Sequence, residues 1–379
     1  MTTNTNDLLP VGLSDRLPRE AAALTHAMRG ALSVMDSHGY DRVRPPLIEF
    51  ETSMAERMAK SGDGVQPRRM FRFVDPVSLR TMALRSDMTV QIGRIAATSM
   101  AAAPRPLRLC YAGEVATITS DQLDPARQRL QLGAELIGSD SVAAAGEVVA
   151  LAIESLEAAG ATGISVDFTL PDLVDTLAEK ALPLSVDQIA SVRRELDTKD
   201  AGGLKQAGGE AYLPLLYATG PFEVAIERLA AIDAGGALAS RIEGLRTIAA
   251  RVCDKARVTL DPTERHGFEY QSWFGFTIYA EGVRGAMGRG GTYSISGATS
   301  AQDGAATGFS LYIDRLLDTL DKNSTRKAVF LALEHDAKVA AQLRSDGWRT
   351  IAALSENDDP EQLECTHILS ANTPEKLPG

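Results

Sequence analysis

RQRLQLGAELIG, residues 127–138, alternates apolar and polar side chains, and read as a strand it divides them between two faces. Leu130, Leu132, Ala134 and Leu136 share a core face, while Gln131, Gly133 and Glu135 share the other. An amide, a gap and a carboxylate in one row could look at water or form the floor of a polar pocket. ALRSDMT, residues 83–89, offers Asp87 and Thr89 at a strand end, beside a helix start that Thr89 could cap. GRGGTY, residues 288–293, puts Tyr293 next to a glycine-rich turn, and the missing GKS/T ending excludes a P-loop. Taken singly, each stretch also has a plain reading: a solvated strand face, a helix cap, a turn needing positive φ.

The elements that would position these residues follow from periodicity. Arg16–Ser37 predicts a helix, with Leu24, Met28, Ala31, Leu32 and Met35 recurring at spacings of three and four before Gly39 ends it. GYDRVRPPLIEFE predicts a strand that Pro45 and Pro46 interrupt and confine to a sheet edge or an interface. MFRFVDP and RTMALRSDMT read as short strands, and 89–100 as a helix. PLRLCYAGEVATI and RQRLQLGAELIG read as a strand pair around the loop TSDQLDPA. A helix over 141–158 and the strand GISVDFT come next, and residues 171–258 read as a helical insertion punctuated by glycine pairs. Strands return in GFEYQSWFGFTIYAEG, VRGAMGRGGTY and GFSLYIDRLLDTL, the last running into a helix. After the linker DKNST, residues 326–379 alternate strand and helix as a small parallel β-α-β unit does.

A chain of 379 residues with 44% hydrophobic residues has room for a substantial core. Cys110, Cys253 and Cys365 are widely separated, without the spacing of a zinc site or a disulfide framework, and read as buried small apolar residues. The formal net charge of -11 repels phosphate backbones at long range, which argues against nucleic acid. Local clusters, Arg68, Arg69 and Arg72, then Arg105 and Arg108, read as the solvated rim of a cleft. No apolar run approaches the roughly 20 residues of a membrane span, and MTTNTNDLLPVG has neither a basic region nor an apolar core. The expectation is a cytoplasmic chain.

Taken together and in order, these stretches resemble class II aminoacyl-tRNA synthetases, and histidyl-tRNA synthetase in particular. GYDRVRPPLIEFE would be motif 1, and ALRSDMT resembles LRPE-x-T. RQRLQLGAELIG resembles R-x-F-x-Q-x-G-x-E-x-G at the end of motif 2, GRGGTY resembles GGRYD, and GFSLYIDRL resembles motif 3. The resemblance covers roughly residues 8–320. It implies an α+β fold: an antiparallel sheet flanked by helices over 1–320, carrying the helical insertion, and a small C-terminal α/β unit over 326–379. It further implies that Asp87, Thr89, Gln131 and Glu135 surround the α-amino group of bound histidine, while Tyr270 and Tyr293 line its imidazole end. Carboxylates suit that task, because an ammonium group leaving water needs negative partners and acceptors.

The departures carry as much information. The F-R-x-E that opens motif 2 has become YAGEVATIT, with Thr117 and Thr119 at the matching positions. A hydroxyl supplies neither the charge nor the bidentate geometry that an arginine offers an α-phosphate. His266 stands where a second catalytic arginine is expected, with Arg265 beside it, and RGLDYYTG reads HGFEYQSW here, so Gln271 replaces the second tyrosine. Arg315 of motif 3 is retained, and Arg127 and Arg315 are candidates for residual nucleotide or phosphate contacts. The tail after Arg326 is too short for a full anticodon-binding domain.

The chain therefore resembles most closely the regulatory subunits of ATP phosphoribosyltransferase, paralogues of histidyl-tRNA synthetase. That implies a non-catalytic subunit of histidine biosynthesis without metal or cofactor, with histidine as ligand and with neither tRNA nor membrane as partner. It also implies a short-form catalytic subunit as partner, and a homodimer core within a hetero-octamer. The alternatives are an active histidyl-tRNA synthetase and an autonomous phosphoribosyltransferase, although no acidic pair opens a Gly/Thr-rich phosphate loop after a strand.

Overall fold

Pro18, whose ring presets a helical φ and whose missing N–H is no loss in a first turn, opens the helix Pro18–Ser37. Leu24, Ala27, Ala31 and Met35 form its buried stripe, and Gly39, at φ +79°, ends it. The computed structural model describes residues 9–54, 70–118, 125–232, 234–265, 271–295, 297–298, 300–320 and 327–377. They belong to two compact units, Met1–Leu320 and Asp321–Gly379.

In chain order the first unit carries β1 (Asp41–Arg42), β2 (Ile48–Phe50), β3 (Arg72–Val74), β4 (Thr81–Leu84), β5 (Leu107–Ala116) and β6 (Gln128–Ile137). There follow β7 (Ser165–Thr169), β8 (Gly220–Pro221), β9 (Arg257–Leu260), β10 (Gln271–Tyr279), β11 (Gly288–Ser294) and β12 (Ala305–Tyr312). Nine of these strands form one sheet in the order β1-β5-β6-β12-β11-β10-β7-β9-β8, antiparallel from β5 to β7 and parallel where β1 meets β5 and β7 meets β9. The prolines explain why GYDRVRPPLIEFE is two strands. Before them β1 pairs with β5 at the sheet edge, and after them β2 joins β4 and β3 in a separate antiparallel sheet. Their carbonyls stay in use: Arg85 Nη1 donates to Pro45 O at 3.1 Å and Gln91 Nε2 to Pro46 O at 2.8 Å.

One face of the large sheet is covered by the helix Val142–Ala158, capped by Ser141, whose hydroxyl accepts from Ala144 N–H. This helix is buried on nearly every side, between the sheet and the helices Pro18–Ser37 and Ala239–Val252. Within 171–258 the helices Leu173–Lys180, Val186–Asp197, Ala201–Gln206, Phe222–Ile232 and Ala239–Val252 are joined by β8 and β9, which extend the large sheet. The opposite sheet face carries a smaller core under the helix Thr89–Ala97, made by Met88, Ile92, Ala96, Leu109, Tyr111, Ile137, Tyr293 and Ala306. GFSLYIDRLLDTL is β12 followed by a 3-10 turn, Ile313–Asp318, and not by an α-helix.

The second unit holds β13 (Ala328–Leu331), the helix Ala337–Ser345, β14 (Arg349–Ala352), β15 (His367–Ser370) and β16 (Thr373–Lys376). β13 lies parallel between β14 and β15, as the alternating pattern predicts. β16 is an addition: Ala371 and Asn372, both at positive φ, turn the chain back into an antiparallel hairpin with Pro374 on the outer strand. Among the described residues no helix is long and apolar enough to cross a membrane.

Candidate binding pocket

Strand register brings the candidate residues together. Gly113, Gln131 and Tyr312 lie opposite one another in one row across β5, β6 and β12; Tyr111, Gly133 and Ser310 form the next. A third row runs Leu109, Glu135, Gly308 and Gly291, reaching β11. Because the helix Thr89–Ala97 closes over this face, Gln131 and Glu135 are both 0% exposed, which excludes the solvated reading of the Gln-Gly-Glu row.

Glu135 is held from both sides. Tyr111 O–H donates to Oε1 at 3.0 Å and Tyr293 O–H to Oε2 at 2.7 Å. A phenol has one proton to give, so the hydroxyls of Thr89 at 3.1 Å and Ser310 at 3.0 Å serve as donors toward Tyr111 Oη. Gln131 ties the next row together: its Oε1 accepts from Met88 N–H at 2.9 Å and its Nε2 donates to Ser310 Oγ at 2.8 Å. Asp87 Oδ1 accepts from Thr89 N–H at 2.7 Å, the geometry of an Asx turn at a helix start. Asp87, Thr89, Gln131, Glu135 and Tyr293 thus meet in one network, with Tyr111 and Ser310 as members that the sequence reading did not single out.

The electrostatics are one-sided. Burial pushes the Glu135 carboxyl up from 4.5 to about 8, against the hydrogen bonds from Tyr293 and Tyr111, and the neighbouring Asp87 adds to the rise. Burial also raises Asp87, opposed by its hydrogen bonds with Thr89 and Gln131. Among the described residues neither carboxyl has a lysine or arginine partner. Two buried acids in one network, with no counter-charge among the described residues, suit an incoming cation with several N–H donors.

Two glycines make the arrangement fit. A Cβ at Gly308 would lie 1.5 Å from Glu135 Oε2, so the carboxylate occupies the space that any side chain would fill. A Cβ at Gly133 would lie 2.3 Å from Tyr111 Oη. The gap between Gln131 and Glu135 is therefore taken by the Tyr111 phenol. A lone glycine inside an alternating strand marks such close approach, and this was the available signal for Tyr111.

The other candidates are placed differently. Tyr270, Thr119 and His266 lie outside the described residues. Arg127 donates to the carbonyls of Thr117 and Val11, both at 3.3 Å, and stacks over Phe71 at 4.9 Å. Arg315 donates to Arg284 O at 3.4 Å. Arg129, at the position of the aromatic residue in R-x-F-x-Q, pairs with Asp314 at 3.0 Å, an ion pair that the sequence reading missed. Among the described residues no group of three His, Cys, Asp or Glu side chains is placed to hold a metal.

An antiparallel sheet that carries this pocket between motif-like strand pairs defines a class II synthetase-type domain. Residues 12–316 match the family model described as histidyl-tRNA synthetase. A solved ATP phosphoribosyltransferase regulatory subunit/histidyl-tRNA synthetase from Bacillus halodurans C superposes with a TM-score of 0.78, covering 96% of this chain and 97% of that one at 24% identity. The histidyl-tRNA synthetase of Nostoc sp. PCC 7120 gives 0.73 at 16% identity, covering 94% and 87%. Sequence relatives narrow the assignment. The ATP phosphoribosyltransferase regulatory subunit of Rhodospirillum centenum is 40% identical over 360 residues, 93% of this chain and 90% of the relative. That of Rhodospirillum rubrum is 38% identical over 373 residues, 96% and 95%. The chain belongs to the ATP phosphoribosyltransferase regulatory subunit family.

Proposed function

We propose that this chain is a non-catalytic subunit that joins a short-form ATP phosphoribosyltransferase catalytic subunit, is required for its activity, and makes it sensitive to histidine. The observation that carries the ligand assignment is Glu135, buried beside Asp87 with tyrosine donors and no cation among the described residues. The α-ammonium of histidine would supply the missing charge, with Asp87, Thr89, Gln131 and Glu135 around it and Tyr270 and Tyr293 toward the ring. Inhibition then follows if histidine binds one quaternary state more tightly than the other, since a ligand shifts an equilibrium only by its differential affinity. The assembly consistent with this reading is a homodimer core within a hetero-octamer.

The departures from the family's arginine positions support the regulatory reading over an active synthetase. Thr117 stands where motif 2 has its arginine and Thr119 where it has its glutamate, and His266, with Arg265 beside it, stands where the second arginine is expected. Removing one transition-state donor of this kind costs roughly 2.7–4 kcal/mol, or about 100- to 1000-fold in rate. Arg127 already serves backbone carbonyls, which leaves it poorly suited to a phosphate. On a chain of net charge -11 the second unit is a poor tRNA reader. The purified chain is expected to show no histidine-dependent exchange of pyrophosphate into ATP and to co-purify with a short-form catalytic subunit. Exchange activity would establish the synthetase instead.

A further inference from the structure

The turn that closes the helix Val186–Asp197 holds a residue ill suited to it. Lys199 sits at φ +58°, in the left-handed region where glycine is the usual choice, while its N–H reaches Leu196 O at 3.2 Å and Asp200 N–H reaches Glu195 O at 2.9 Å. A lysine kept in such a conformation implies that its side chain is in use. Its Nζ donates to Asp261 Oδ1 at 2.7 Å and to Thr263 Oγ1 at 2.5 Å, and two residues earlier Asp197 Oδ1 accepts from Arg265 N–H at 2.6 Å. Residues 197–199 of the helical insertion thus grip residues 261–265, the start of the connection from β9 to β10.

That connection is anchored from the sheet at one more point. Thr169 Oγ1 donates to Glu264 O at 2.6 Å, and Thr169 stands at the far end of the row that runs through Gly275, Gly291 and Gly308 to Glu135. In sequence the connection then leads to Tyr270. We propose that Lys199 and Asp197 are positioning residues: they touch no ligand, and they hold the β9–β10 connection in the arrangement in which the pocket binds. A connection released from the insertion spends part of its time elsewhere, and apparent affinity falls with the fraction of molecules that stay competent. This rests on the histidine reading above and adds a contribution from outside the pocket. The ion pair is partly exposed, with 39% of the Lys199 side chain and 22% of that of Asp261 accessible, so its effect is moderate.

Calorimetry with histidine on the full chain, paired with thermal unfolding, tests this on Lys199→Gly, Lys199→Met and Lys199→Arg. Glycine removes both the contacts and the backbone strain, whereas methionine removes the contacts and keeps the strain. Both are expected to bind histidine about threefold to fivefold more weakly than wild type, although the Tm of Lys199→Gly should stay at or above that of wild type and the Tm of Lys199→Met should fall. Lys199→Arg keeps the cation and should bind within about twofold of wild type. Adding Asp197→Ala to Lys199→Gly should deepen the loss to about tenfold or more. Wild-type affinity in Lys199→Gly, or affinities that follow Tm from variant to variant, would overturn the assignment while leaving the histidine reading intact. Failure of wild type to bind histidine would instead overturn that reading, and this inference with it.

Discussion

Glu135→Gln is expected to lower histidine affinity by about 100-fold or more, because removing one member of a buried charge pair costs roughly 3–5 kcal/mol and strands the other charge. The same substitution should remove a pH dependence. The free carboxyl sits at about 8, so at neutral pH it is largely protonated, and capture of an ammonium group must expel that proton. Affinity of wild type therefore rises as pH rises, by about fivefold from pH 7 to pH 8, and levels off above. Over that interval the histidine ring is neutral and its ammonium still charged, so the change belongs to the protein. Stability of the unliganded chain runs the other way. A group raised from 4.5 to about 8 in the fold holds its proton longer in the native state than in the unfolded one, so its contribution is lost as pH climbs between those values. Tyr111 and Tyr293 face the carboxyl as hydrogen-bond donors and Asp87 as a second acid, and none of them supplies a compensating positive charge. Titration calorimetry across pH 7–8 should find the slope in wild type and a flat response in Glu135→Gln; a slope that survives would assign the proton to another group.

Gly308→Ala should be nearly as damaging, through packing. Its methyl would fall 1.5 Å from Glu135 Oε2 and 2.8 Å from the Ala134 carbonyl, so the carboxylate must leave its tyrosine donors or β12 must shift. Overpacking of this kind costs roughly 1–3 kcal/mol, and here it also displaces the group proposed to hold the ligand. A lowered Tm together with undetectable histidine binding is the expected pair of results. Wild-type affinity in the alanine variant would show that Glu135 can move without consequence, and would remove it from the pocket.

How much of this could be read from the chain depends on which residue is asked. The strand at 128–137 and the helix at 18–37 are legible because their apolar periods are unbroken. Burial of Gln131 and Glu135 is not, since alternation alone cannot tell a wet face from one closed by a helix more than thirty residues upstream, Thr89–Ala97. The family resemblance supplied that information. Tyr111 and Ser310 escaped notice because their roles arise from register between strands distant in sequence, where Tyr111, Gly133 and Ser310 fall in one row. β16 was missed because its strand is short and contains a proline, and only the positive φ angles of Ala371 and Asn372 mark the turn before it. Arg127 illustrates the converse: its type suggested a phosphate contact, whereas its neighbours are two backbone carbonyls and a phenylalanine ring.

Whether this chain senses histidine on behalf of a catalytic partner is decided by reconstitution. Phosphoribosyl transfer to ATP by a short-form catalytic subunit should be measured alone, with this chain, and with Glu135→Gln, each across a histidine titration. Little activity is expected from the catalytic subunit alone, activity inhibited by histidine with the wild-type chain, and activity that resists histidine with the variant. Equal inhibition of the wild-type and Glu135→Gln complexes would contradict this, and would move the histidine site away from this pocket.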